Sequence, residues 1–174
     1  MLYMVEMDFT QPARQTEWDA WYLQHLEALL CVPGFRTAQR FLCTAPHVAP
    51  YLAVYSVDSA AVFESDAYRA RGGRDSTGEW KSTMVSWDRN LFSGIDRAPA
   101  VQDGESLLMT EDTPAVASCA GIAFSWLTPA GLDRTVAKRA IAVAQAPQAH
   151  RIVQAGGARV RAYRPLMAQR VASA

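Results

Sequence analysis

The run Trp18-Asp19-Ala20-Trp21-Tyr22-Leu23-Gln24-His25-Leu26-Glu27-Ala28-Leu29-Leu30, followed directly by Cys31-Val32-Pro33-Gly34-Phe35, decides the fold of this chain. At about 100° per residue, Trp18, Trp21, Tyr22, His25 and Leu29 gather on one side of a helix, while Asp19, Gln24 and Glu27 point away. The helix is expected to start near Thr16, with Thr16 as N-cap and Glu17 and Asp19 complementing the helix dipole. Pro33-Gly34 stops it, because proline lacks the next N–H and glycine tolerates a left-handed turn. An aromatic helix face carrying one histidine must therefore meet a sheet.

Outward from this helix the pattern is that of strands. Residues 2–9 alternate, with Tyr3, Val5, Met7 and Phe9 on one face and Leu2, Met4, Glu6 and Asp8 on the other. Residues 35–43 and 51–57 read as two further strands. Ser59 is the expected N-cap of a second helix over 60–71, closed by Gly72-Gly73. Residues 74–80 are polar and read as loop, and 81–89 as a fourth strand. The order βαββαβ is that of the ferredoxin-like fold. Such a sheet carries helices on one face only, so the face holding Leu2, Met4, Glu6 and Asp8 needs a cavity or a partner sheet.

The expected class is thus α+β: a ferredoxin-like unit over residues 1–97 and a shorter C-terminal α+β extension over 98–174. Residues 96–114 read as a linker with a short apolar strand at 106–110. Residues 119–127 are strand-like, with Ile122, Phe124 and Trp126 on one face. The stretch 139–144 suits a strand, although 132–143 equally suits an alanine-rich helix. A helix over 147–155, ended by Gly156-Gly157, and a last strand over 158–163 complete the reading. No sequence repeat relates the two halves.

Half of the residues are hydrophobic and a fifth charged, the balance of a globular protein. A formal net charge of zero argues against a nucleic-acid partner, and the apolar runs are too short for a membrane span. The N-terminus lacks a basic leader, and Cys31, Cys43 and Cys119 are odd in number without metal-ligand spacing, which points to reduced thiols in the cytoplasm. His47 and His150 have no ligand-spaced partner, and no phosphate loop or nucleophile elbow is present, so neither metal nor cofactor is expected.

Over slightly more than half its length, the chain resembles the dimeric α/β-barrel superfamily, in particular its EthD-like and stress-responsive members. The carrying residues are Glu17 to Leu26, then Val32-Pro33-Gly34-Phe35, then Ala38-Gln39-Arg40-Phe41. The resemblance implies two ferredoxin-like sheets facing each other as a barrel, built from two chains or from the two halves of one. A homodimer is favoured, because the second half reads as too short for a full copy. The superfamily includes mono-oxygenases, lactone isomerases, cyclases, haem-related enzymes and proteins without assigned activity; His25 matches its histidine, and the resemblance implies a mono-oxygenase, isomerase or lyase. The expected function is a cofactor-independent enzyme acting on a small aromatic or lactone-like molecule in a barrel cavity. His25 would be the acid/base, with Trp18, Trp21, Tyr22, Glu6 and Arg40 contacting substrate. A non-catalytic small-molecule-binding or stress-response protein of the same fold is the alternative. From the residues alone, the favoured reading of His25 is a half-buried histidine in an aromatic layer, and that of Glu6 and Asp8 is a structural ion pair with Arg36 or Arg40. Arg159, Arg161 and Tyr163 share one strand face, suited to holding a carboxylate or to protecting a solvated edge.

Overall fold

The computed structural model of this protein describes residues 1–113, 115, 119, 121–156 and 159–173. Gly157 and Ala158, expected to end the last helix and begin the last strand, lie outside the described residues, as do residues 114 and 120 in the expected linker and strand.

The first half follows the expected order. Strand β1 (Leu2–Phe9) leads through a short 3-10 turn (Pro12–Arg14) into helix α1 (Gln15–Leu30). Strands β2 (Phe35–Cys43) and β3 (Tyr51–Val57) follow. The 3-10 turn runs straight into α1, so Thr16 lies inside the first turn and the N-cap is Arg14, without a side-chain cap bond. Gly34 adopts φ +96°, and a Cβ there would stand 2.4 Å from the Val62 side chain, so this turn needs both the freedom and the smallness of glycine.

The expected second helix is broken. A 3-10 segment (Ala60–Glu64) precedes a single turn, α2 (Asp66–Arg69), whose N-cap is Ser65 rather than Ser59: the Ser65 hydroxyl accepts the Tyr68 N–H. Residues 74–82 form further 3-10 turns, and β4 (Met84–Ser93) starts three residues later than expected. In the sheet the order is β4-β1-β3-β2, that of a ferredoxin-like unit.

The second half repeats that arrangement. Strands β5 (Glu105–Thr110), β6 (Ser125–Leu132) and β7 (Arg139–Gln145), helix α3 (Ala146–Gly156) and strand β8 (Arg161–Pro165) are arranged with the strands in the order β8-β5-β7-β6. Most of its strands are short, yet their order is complete. The strand reading of 139–144 therefore holds over the helical one, and β6 begins six residues later than the sequence pattern placed it.

The two sets close on each other. β4 pairs with β6 and β8 with β2, so eight antiparallel strands form one barrel within a single chain, with β9 (Arg170–Val171) added beside β2. The barrel favoured as an assembly of two chains is thus closed by one, because the second half supplies its own four strands. For the same reason β8 is no solvated edge: it is paired on both sides, and Arg161 points inward.

Opposed residues of an antiparallel pair share a face, and this sorts the core. Leu2 and Met4 of β1 meet Phe92 of β4 and Val54 of β3 inside the barrel, with Phe41, Met109, Ile141 and Tyr163. Tyr3, Val5, Met7 and Phe9 face outward beneath α1. The face of β1 that required covering is covered by the second sheet. The far end of the barrel is plugged by residues 95–102: Gln39 binds the Val101 backbone through both ends of its amide, and the Ser56 hydroxyl accepts the Ala98 N–H. No helix among the described residues is long and apolar enough to cross a membrane.

Candidate functional site

The structure brings five of the six expected site residues together and separates the sixth. Trp18, Trp21, Tyr22 and His25 all lie on α1, and Arg40 on the outward face of β2 beneath it. Trp18 is fully buried and stacks on Phe9 at 4.3 Å with rings nearly parallel. Arg40 is also buried, with its guanidinium 4.6 Å from the Trp18 ring and 4.1 Å from the Tyr22 ring. Its Nη1 donates to Asp19 at 2.9 Å, and its buried Nη2 has no hydrogen-bond partner among the described residues. Asp19, read from periodicity as pointing away, thus turns back to the arginine. This is a cation held between aromatic faces, which offsets its loss of hydration.

His25 stacks on Trp21 at 5.1 Å and meets the edge of Tyr22 at 6.0 Å. Burial lowers its pKa to about 4, so the ring is neutral at ordinary pH.

Beyond Tyr22 the outer layer continues through phenols. Tyr3 stacks on Tyr55 at 5.3 Å and contacts Phe63 at 4.8 Å, and Phe63 meets Tyr68 at 5.0 Å. Burial pushes the phenols of Tyr3 and Tyr55 well up and that of Tyr22 to about 12, with Arg40 opposing the shift at Tyr22, so all three are neutral donors. The Tyr68 hydroxyl is close enough to Tyr3 to raise the pKa of that phenol, but it makes no hydrogen bond of normal geometry.

A cavity of about 450 Å³ opens at this end of the layer, lined by Phe63, Tyr68, Gly72, Trp87, Arg89 and Asp133 among others. Among the described residues, the buried Tyr68 hydroxyl and Trp87 Nε1 both lack hydrogen-bond partners, which is costly unless a further group completes them. Asp133 holds Arg89 in place: one carboxylate oxygen accepts the Arg89 backbone N–H at 2.8 Å and the other lies 3.4 Å from the guanidinium. Gly72 sits against the Tyr68 ring, where a Cβ would come within 2.2 Å, so the ring position depends on that glycine. Pattern reading missed this cavity, because Tyr68, Trp87 and Arg89 belong to a broken helix and a strand that starts late.

Glu6 is separated from the rest by the sheet itself. It faces into the barrel and pairs with neither Arg36 nor Arg40. Its two oxygens take Arg139 at 2.7 Å and Arg161 at 3.0 Å, and both arginines also reach Glu111 Oε1, at 2.9 and 2.5 Å. Arg36 pairs instead with Asp58 at 2.5 Å. The shared face of Arg161 and Tyr163 was visible in the sequence; its inward direction and its partners were not. No cluster of three or more potential metal ligands occurs among the described residues.

No protein-family model matches the chain, and no curated protein matches it. Solved structures do. An anthrone oxidase-like protein is similar at 12% identity over 99% of this chain and 94% of its own, with a TM-score of 0.59. A provisionally assigned monooxygenase from Fusobacterium nucleatum subsp. nucleatum ATCC 25586 is similar at 8% identity over 99% and 92%, with a TM-score of 0.56. One from Lactobacillus acidophilus NCFM gives 8%, 99% of both chains and 0.51. At such identities the likeness shows the fold.

Proposed function

We propose that this protein is an enzyme acting without a cofactor on a small, partly aromatic molecule that carries an oxygen on its ring system, bound in the cavity beside Tyr68, Trp87 and Arg89. The observation that carries this reading is the convergence of two unpartnered buried donors and a guanidinium on one aromatic-walled cavity. A ring oxygen would complete Tyr68 or Trp87. If the substrate then loses a proton from a carbon conjugated to that oxygen, negative charge moves onto the oxygen, and Arg89 stabilises it. Asp133, which lines the same cavity, is the group placed to take the proton.

The names of the structurally similar proteins fit this class. Anthrone is the first probe: loss of a methylene proton gives a phenolate-like anion, and its reaction with dioxygen yields anthraquinone and one water per oxygen consumed. His25 is assigned to packing in this reading, since it stacks on Trp21 within the aromatic layer and does not line the cavity. The cavity is built from one chain, so neither a homodimer nor an EthD-like type is needed for it.

Oxygen uptake and anthraquinone absorbance in the presence of anthrone test the proposal. Wild-type protein should turn over, and Arg89→Gln should lose about a hundredfold or more of the rate, with Tyr68→Phe also impaired. His25→Phe should keep most of it. Turnover abolished in a folded His25→Phe would return proton transfer to His25. Binding that depends on Tyr68 and Arg89 without oxygen uptake would instead make the protein a non-catalytic binder. Absence of both would overturn the site.

A further inference from the structure

The barrel has a second, charged opening at the end where β1 reaches Glu6. A cavity of about 390 Å³ lies there, bordered by the Glu6–Arg139–Glu111–Arg161 ring and by Trp87, Asp88, Val48 and Val136. The ring satisfies itself: each arginine bridges the same two carboxylates. Arg161 also meets His47 Nε2 at 3.2 Å, and His47 Nδ1 lies against the Ala49 backbone. By itself this ring is a structural clasp between the two halves.

Asp88 is the carboxylate left over. It stands directly opposite Glu6 on β4, yet it makes no ion pair among the described residues. Three carboxylates thus border the cavity against two guanidiniums. Burial raises the Asp88 pKa, Glu6 and Asp133 raise it further, and Arg139 opposes them. A β-bulge presents this group. Ser86 and Trp87 together oppose Met7 of β1, and Ser86 takes φ +49°, a conformation an L residue adopts only under constraint. The bulge breaks strand alternation, so Ser86, Trp87 and Asp88 all border the cavity. Deeper in the barrel, the fully buried Tyr163 hydroxyl also lacks a hydrogen-bond partner among the described residues, within electrostatic reach of Glu6, Arg139 and Arg161.

We propose that this mouth is a binding site for a small organic ammonium ion, with the cation on Asp88 and its apolar body against Trp87, Val48 and Val136. One free carboxylate beside an aromatic ring suits a monovalent organic cation. A metal ion would want several free oxygens, and both oxygens of Glu6 are already engaged. This site lies on the inner side of the sheet and does not depend on the function proposed above, although Trp87 borders both cavities.

Calorimetric or NMR titration of the intact chain with benzylammonium, benzyl alcohol and benzoate tests it. Benzylammonium should bind at least about tenfold tighter than the neutral alcohol, and benzoate should not bind. Asp88→Asn should abolish that preference while Tyr68→Phe leaves it intact, which separates this site from the outer cavity. Equal binding of amine and alcohol, no amine binding, or a preference that survives Asp88→Asn in a folded protein would each overturn the proposal.

Discussion

The two halves of the barrel share a strand order but are packed with different materials. In the first, α1 meets the sheet through Trp18, Tyr22, Leu26 and Leu29 against Tyr3, Phe35 and Tyr55. In the second, α3 meets it through Ala149 against Leu108, Ala142, Ala144 and Ala162. Small side chains allow helix and strand to approach closely and leave little between them. Large rings in fixed rotamers do not tile a surface completely. The cavities of about 490, 320 and 450 Å³ outside the barrel all border α1 or loops of the first half. Among the described residues, these three openings lie around the half packed with large rings.

That contrast can be broken from either side. The largest effect is expected for Trp18→Ala, which removes a fully buried ring stacked on Phe9 and beneath Arg40. It should cost about 3–5 kcal/mol, measured as a fall in the urea midpoint. In the second half the sensitive direction is the opposite one. Ala142→Leu, in the alanine layer beneath α3, should cost about 1–3 kcal/mol through overpacking. If it were neutral, that interface would contain space, and the contrast between the halves would fail.

The smallest effect concerns pH. The folded His25 ring binds a proton more weakly than the unfolded one, its pKa lying at about 4 against an ordinary 6.5. Its contribution to stability is complete above the unfolded value and is lost as pH falls from about 6.5 toward 4. The denaturant midpoint of wild type should therefore fall across that window more steeply than that of His25→Gln. Parallel curves would mean that His25 is hydrated, not enclosed in the aromatic layer.

Much of the first half was legible in the sequence. Strands β2 and β3 fall where the β-branched and aromatic runs place them, and the turn at Pro33-Gly34 has the positive φ that only glycine takes easily. Alternation along β1 sorted Tyr3 and Val5 to the helix side and Leu2, Met4 and Glu6 to the inside. Segments with weak periodicity were less legible. Ser65 displaced Ser59 as a cap, and the Ser86–Trp87 bulge lies in a strand whose start the pattern misplaced. The outer cavity is built from such segments, so the sequence revealed its aromatic neighbour α1 and not the cavity.

What the sequence determined by itself is local: which residues form α1 and the early strands, and which side chains leave each face, because backbone periodicity fixes these within a few residues. What only the tertiary structure decided is non-local. Closure within one chain, the choice of Arg139 and Arg161 over Arg36 and Arg40 as partners of Glu6, and the isolation of Asp88 all follow from which strands become neighbours across more than a hundred residues of chain. Charge pairing depends on distance in space, and a linear pattern carries no record of that distance until the sheet has closed.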